Sequence, residues 1–142
     1  MAGALVAGSA GVWVGTAFLS CTEGLNSAAA RERVREATGD ETVLTRAFDV
    51  AEGIAWPERW PGRALVNDFS RAWHGREDEL VEDDDARQLV VEGRRTGNPA
   101  TAPLYAGEAV GLVTTERSAT DVVRELDAGA EKALRAASRL LT

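Results

Sequence analysis

Gly15 and Thr16 are the residues of this 142-residue chain whose type and setting best suit binding chemistry. They follow Gly11-Val12-Trp13-Val14 and lead into Ala17-Phe18. An uncharged, β-branched and aromatic run entering Gly-Thr and then an apolar helix start is how a buried parallel strand delivers its end to a phosphate-binding turn. Glycine lets the backbone approach an anion without a Cβ in the way. The threonine hydroxyl and the N–H groups of the next helical turn then supply donors. Taken alone, strand–Gly–Thr is a common pattern, and most such turns only cap helices.

Three other constellations invite a chemical role. His74, the only histidine, lies in Trp73-His74-Gly75-Arg76-Glu77 and titrates in the range a general base needs. A surface or helix-ending histidine is the better reading. The acidic run Glu77, Asp78, Glu79, Glu82, Asp83, Asp84 and Asp85 lacks the calcium-loop spacing with its central glycine. Like charges such as Asp78 and Glu82 would repel at i,i+4, so a solvated loop entering an acidic helix N-terminus is expected, and no metal site. Arg46 and Arg63 match a planar, charge-delocalised anion, but pairing with surface carboxylates is favoured. No catalytic residue is assigned.

The elements that must hold these residues read as follows. Residues 2–8 are helix-compatible, 11–15 a strand, and 16–21 a short helix or turn. Asn26 or Ser27 caps a helix through about Thr38, with Gly39 as its stop. Thr42 to Phe48 alternates and reads as strand or extended chain. Trp56-Pro57 and Trp60-Pro61-Gly62 mark turns. Ala64, Leu65, Phe69, Ala72 and Trp73 fall on one helical face, ended by Gly75. Asp84 or Asp85 opens a helix carrying Leu89 and Val90, closed by Gly97-Asn98-Pro99. Ser118 and Asp121 form a capping box for a last helix bearing Val123, Leu126, Ala130, Ala133, Ala137 and Leu141. The four tryptophans and Tyr105 are expected in the core, Trp13 between a strand and a helix layer.

Composition bounds the function class. Apolar residues make up 44% of the chain, enough for a core, and 23 acidic against 16 basic side chains give a net charge of −7. That balance disfavours nonspecific nucleic-acid binding. The single cysteine, Cys21, excludes an internal disulfide and suits a reducing cytoplasm. Met1 to Thr22 carries no charge, and Phe18-Leu19-Ser20-Cys21 is similar to a lipoprotein cleavage site. A signal peptide needs a basic leader segment, which is missing, and a buried helix–turn–strand explains the same composition. The expectation is a cytoplasmic protein without a membrane anchor.

Four blocks in order carry a more specific signal. Gly8-Ser9-Ala10-Gly11-Val12-Trp13-Val14-Gly15-Thr16-Ala17-Phe18-Leu19 resembles the "G-A-D-G-V-W-V-G-T-x-F-L" of the flavin-dependent nitronate monooxygenase family. Thr42-Val43-Leu44-Thr45-Arg46-Ala47-Phe48 resembles its "T-V-x-T-R-x-F", and Pro61-Gly62-Arg63-Ala64-Leu65-Val66-Asn67 its "P-G-R-A-L-R-N". Tyr105-Ala106-Gly107-Glu108-Ala109-Val110-Gly111-Leu112-Val113 is similar to "A-G-x-x-x-G-L-V". Val66, where the family commonly has arginine, is a departure.

The resemblance implies an α/β fold: the C-terminal part of a TIM-type (β/α)8 barrel, with its last strand and phosphate turn in residues 1–24 and a mostly helical segment in 25–142. A whole barrel has about 250 residues, and the family's flavin-ring contacts and catalytic histidine belong to its upstream part. It also implies an FMN-dependent oxidation of alkyl or propionate nitronates by O2, ending in a carbonyl compound and nitrite. Gly15 and Thr16 would contact the flavin phosphate. The alternatives are a truncated non-catalytic remnant, a partner-dependent barrel half that self-associates when alone, or another FMN barrel such as an enoyl reductase.

Overall fold

The computed structural model describes residues 1–140. Its helices are α1 (Ala2–Val6), α2 (Ala28–Glu36), α3 (Ala47–Ala51), α4 (Asp68–Trp73), α5 (Glu77–Leu80), α6 (Asp84–Thr96) and α7 (Ala119–Ser138). Short 3-10 turns cover Thr16–Phe18, Gly39–Glu41 and Glu108–Leu112. Two strands, β1 (Thr42–Thr45) and β2 (Gly62–Leu65), pair antiparallel with Thr42 opposite Leu65 and Thr45 opposite Gly62. Residues 104–106 continue this small sheet. Leu65 N–H donates to Leu104 O at 2.9 Å, and Ala106 N–H donates to Arg63 O at 3.1 Å. Gly62 is required where it stands, because a Cβ there would lie 2.6 Å from the Tyr105 ring.

Side chains fix the helix ends. Ser27 Oγ accepts from Ala30 N–H at 3.1 Å and donates to Gly97 O at 2.8 Å, so one hydroxyl caps α2 and ties it to the end of α6. Asp83 caps α6 through Ala86 N–H at 2.8 Å, and Gly97 closes it at φ +69°. Ser118 caps α7 through Asp121 N–H at 3.0 Å. Asp84 and Asp85 occupy the first turn of α6, and Glu77, Asp78 and Glu79 that of α5. The acidic run therefore stands at helix N-termini, which the helix dipole favours.

Two apolar clusters flank the sheet. Phe48, Phe69, Leu80 and Val90 centre one, with Ala47 and Ala64 filling the gaps. Val34, Leu65, Leu104 and Val110 centre the other. Tertiary context corrects several expectations. Helix α2 stops at Glu36, and Gly39 starts a 3-10 turn, because Ala37 is extended and Glu41 folds back to accept from Thr38 N–H at 2.9 Å. Residues 47–51 are helix, since Thr45 Oγ1 accepts from Ala47 N–H and turns the chain after β1. Residues 62–65 are strand rather than helix, because pairing with β1 overrides the helix preference of Ala64 and Leu65. Only Trp73 among the tryptophans packs against the core; Trp13, Trp56 and Trp60 are exposed. On α7 the buried positions are Val122 and Ala130, while Val123 faces solvent, and Leu141 lies outside the described residues.

Two helical glycines separate packing from propensity. Around Gly129 in α7 a Cβ would meet nothing within 4 Å, so Gly129→Ala should stabilise by about 0.5–1 kcal/mol through helix propensity. In α6, a Cβ on Gly93 would sit 2.9 Å from Ala102 N and 3.1 Å from Thr101 C. Gly93→Ala should therefore destabilise by roughly 1–3 kcal/mol, as overpacking does, despite the same propensity gain. Parallel urea titrations of the two variants check the pair; equal signs would contradict this packing.

Candidate functional site

Residues 11–15, expected as a strand, form no ladder among the described residues; the chain runs from α1 through this stretch directly into the 3-10 turn. A strand needs a neighbour to take its N–H and C=O groups, and none lies beside it here. Trp13 accordingly is fully exposed rather than held in a layer. Gly15 (φ −112°, ψ −57°) starts the turn, and Phe18 N–H donates to Gly15 O at 2.9 Å. The N–H groups of Gly15, Thr16 and Ala17 precede that first bond, where a helical turn has no acceptor of its own.

Thr16 Oγ1 accepts from Gly107 N–H at 2.9 Å. That bond spans 91 residues and joins the first motif block to the fourth. It also sets the hydroxyl's chemistry. With one lone pair taken by Gly107, the Thr16 hydroxyl keeps its O–H as a donor. Gly107 is the partner that sequence reasoning did not find, because its contribution is a backbone N–H, which any residue but proline would supply.

These groups border a half-open groove of about 470 Å³, walled by Trp13, Val14, Ala109, Leu112, Val122 and Leu126. Its charged lining is Arg117 and Glu125, and these two pair with each other. The groove thus combines the hydrogen-bond donors of the Gly15–Thr16 turn with a mostly apolar lining, a chemistry that suits an anion attached to an apolar body.

The remaining candidates lie elsewhere. His74 ends α4, half exposed, with Nδ1 3.9 Å from a Glu77 carboxylate oxygen. Arg46 pairs with Glu58 at 2.9 Å, and Arg63 with Glu108 at 3.1 Å and Thr42 Oγ1 at 3.0 Å. Both arginines make the carboxylate pairs that ordinary surface chemistry predicts. Cys21 is buried; burial and then the Glu23 carboxylate push its thiol up, away from a reactive thiolate. Glu23 itself accepts from Ala119 N–H with both oxygens, at 3.1 and 3.0 Å, and so fastens the N-terminal region to α7. Burial, with Asp49 beside it, likewise pushes the Tyr105 phenol up, and its O–H donates to Asp49 at 3.1 Å.

The family model for nitronate monooxygenase matches residues 1–129. The chain belongs to the nitronate monooxygenase family. A curated member, nitronate monooxygenase npaC of Metarhizium robertsii, is 36% identical over 132 residues. That match takes in 87% of this family member and 36% of npaC. The chain therefore spans about a third of its curated relative's length. Among solved structures, a nitroalkane oxidase from Streptomyces ansochromogenes superposes with a TM-score of 0.73 at 26% identity, over 95% of this chain and 37% of that one. FabK from Thermotoga maritima superposes with a TM-score of 0.77 at 21% identity, over 99% of this chain and 43% of that one, a likeness of fold. Among its described residues this nitronate monooxygenase family member is a mixed fold with few strands. Among its described residues no helix is long and apolar enough to cross a membrane.

Proposed function

We propose that this chain is part of an FMN-dependent nitronate monooxygenase, the C-terminal share of a TIM-type barrel, and that Gly15 and Thr16 hold the flavin phosphate. The observation that carries the reading is the Thr16 hydroxyl. Gly107 N–H holds its oxygen and leaves the O–H as a donor, next to the N–H groups of the Gly15 turn and in the lining of a mostly apolar groove. An anionic group suits those donors, and the apolar wall suits a ring system.

The bound flavin would supply the redox chemistry by which alkyl or propionate nitronates and O2 become a carbonyl compound and nitrite. The contribution of this chain is binding and orientation. Gly15 N–H and the Thr16 hydroxyl receive the phosphate, while Val14, Leu112 and their neighbours exclude water from one side of the groove. Proton abstraction is not assigned to this chain, since Glu125 in the groove is engaged by Arg117 and His74 ends α4, outside the groove lining. Residues 1–24 would complete the barrel, with 25–142 forming the helical segment around it. A cytoplasmic location fits the single, buried, reduced Cys21.

The comparison of FMN with riboflavin, which lacks the phosphate, tests this. FMN is expected to bind the chain more tightly than riboflavin. Thr16→Val should erase about ten- to a hundredfold of that preference, the worth of one hydrogen bond to a charged group, and Thr16→Ser should keep it. Equal affinities for the two flavins in the unaltered chain, measured by fluorescence titration, would sink the phosphate assignment.

A further inference from the structure

We propose that Glu116 is a positioning residue for the groove: clamped by Arg31 and Arg35 of α2, it holds residues 113–117 as a strap along one side of the groove. The strap then governs how long a ligand stays bound. That last step rests on the flavin reading above, whereas the clamp on the strap is measurable without flavin.

Residues 113–117 connect the 3-10 turn Glu108–Leu112 to α7. Val113, Thr114, Thr115 and Arg117 line the groove, and Glu116 among them does not. Its carboxylate turns instead to α2, where Oε2 accepts from Arg31 Nε at 3.3 Å and from Arg35 Nη1 at 2.9 Å. Arg31 and Arg35 stand four apart on one face of the helix, so both can reach a single oxygen. Arg33, between them, pairs with Glu41.

An exposed ion pair ordinarily contributes little, because two free side chains must be ordered to make it. Here the donors are already placed by other bonds. Arg31 Nη1 also donates to Asn26 O at 2.7 Å, and Asn26 Nδ2 donates to Leu19 O at 2.8 Å. Arg35 Nη1 lies 3.5 Å from the hydroxyl of the buried Ser20. The two arginine side chains are 20% and 26% exposed, so solvent screens the clamp only in part. The strap's backbone is tied near its ends, where Val113 N–H donates to Val110 O at 2.8 Å and Thr22 N–H donates to Arg117 O at 3.0 Å. Between those ends, Glu116 supplies the tie to α2.

Fixing Glu116 restrains its two neighbours. Arg117 Nε donates to Thr115 Oγ1 at 2.7 Å, and the Arg117 guanidinium pairs with Glu125 of α7. The strap is thus one chain of contacts strung between α2 and α7. Releasing Glu116 loosens Thr115 and Arg117 together, and with them that side of the groove.

Amide hydrogen exchange on the full chain, without flavin, tests the clamp. The Thr115 and Glu116 amides should exchange about tenfold faster in Glu116→Gln, while the amide of the buried Val34 keeps its rate. Replacing Arg31 and Arg35 together by glutamine should also speed them. Adding Glu116→Gln to that pair should then change nothing more, because the interaction is already gone. Salt raised to about 1 M should speed the strap amides of the unaltered chain and leave those of Glu116→Gln unmoved. Unchanged strap exchange in Glu116→Gln overturns the proposal, as does a further increase in the triple variant or an equal increase at Val34.

FMN, followed by its fluorescence, should leave Glu116→Gln about tenfold faster than it leaves the unaltered chain. Equal rates of departure overturn the positioning role. An unaltered chain that binds no FMN sinks the flavin reading instead, and the exchange rates still decide whether Glu116 holds the strap.

Discussion

Asn67→Asp is expected to cost about 4 kcal/mol of folding stability at neutral pH, for a change of one atom type. Asn67 is 8% exposed and caps α4. Its Oδ1 accepts from Ser70 N–H at 2.9 Å. Its Nδ2 donates to Ala102 O at 2.9 Å and to Pro99 O at 3.1 Å, which pins the loop after α6 onto the start of α4. A carboxylate keeps the first bond and sets an anionic oxygen against two carbonyl oxygens that have lost their donor. The sign of the pH dependence follows. The introduced carboxyl is disfavoured as an anion, so its folded-state pKa rises above the unfolded value near 3.9. Folding then favours the protonated form, and the deficit is largest above the folded pKa and shrinks as pH falls through it. Urea unfolding at pH 7 and pH 5 measures this. A deficit that grows on acidification would show that the two carbonyls are not what the side chain holds.

Phe48→Ala should be as damaging, about 3–5 kcal/mol, by the ordinary cost of emptying a large aromatic site. Phe48 is fully buried, with its ring centroid 5.5 Å from Phe69 and 6.4 Å edge-on from Tyr105. It is contributed by α3, a helix of five residues with little stability of its own. Removing the ring therefore leaves a cavity and also removes the reason α3 stays in place. The urea midpoint should fall with an unchanged slope. Trp13→Ala, a larger truncation at a fully exposed position, should change the folding stability by less than about 0.5 kcal/mol. If the two variants lose similar stability, the division between the buried core and the uncovered face is wrong.

The contrast between Phe48 and Trp13 also shows what was legible in the sequence. Local punctuation was: Ser27, Gly97 and the Ser118 cap work between neighbours in sequence where their types predict, although Asp121 accepts from the Ser118 hydroxyl instead of closing the expected capping box. The family was legible too, because four motif blocks in order constrain each other. Residues whose state depends on a distant partner were not. Ala64 and Leu65 look helical until β1 arrives from twenty residues away, and Val12-Trp13-Val14 look like a strand that has no neighbour to pair with. At the candidate site, Gly15 and Thr16 stand out by type. Gly107 does not, since the group it offers Thr16 belongs to the backbone of nearly every residue.

The bonds that fasten the N-terminal region have a consequence for biosynthesis. Thr16 waits for Gly107, Thr22 N–H for Arg117 O, and Glu23 for Ala119, separations of 91 to 96 residues. At about 5–20 residues per second, the first two dozen residues leave the ribosome many seconds before any of these partners exists. During that interval Met1 to Thr22, an uncharged stretch, lacks these fastening partners and is the kind of segment that chaperones hold. Slow codons placed between these two regions would lengthen that exposure and lower the yield of folded chain.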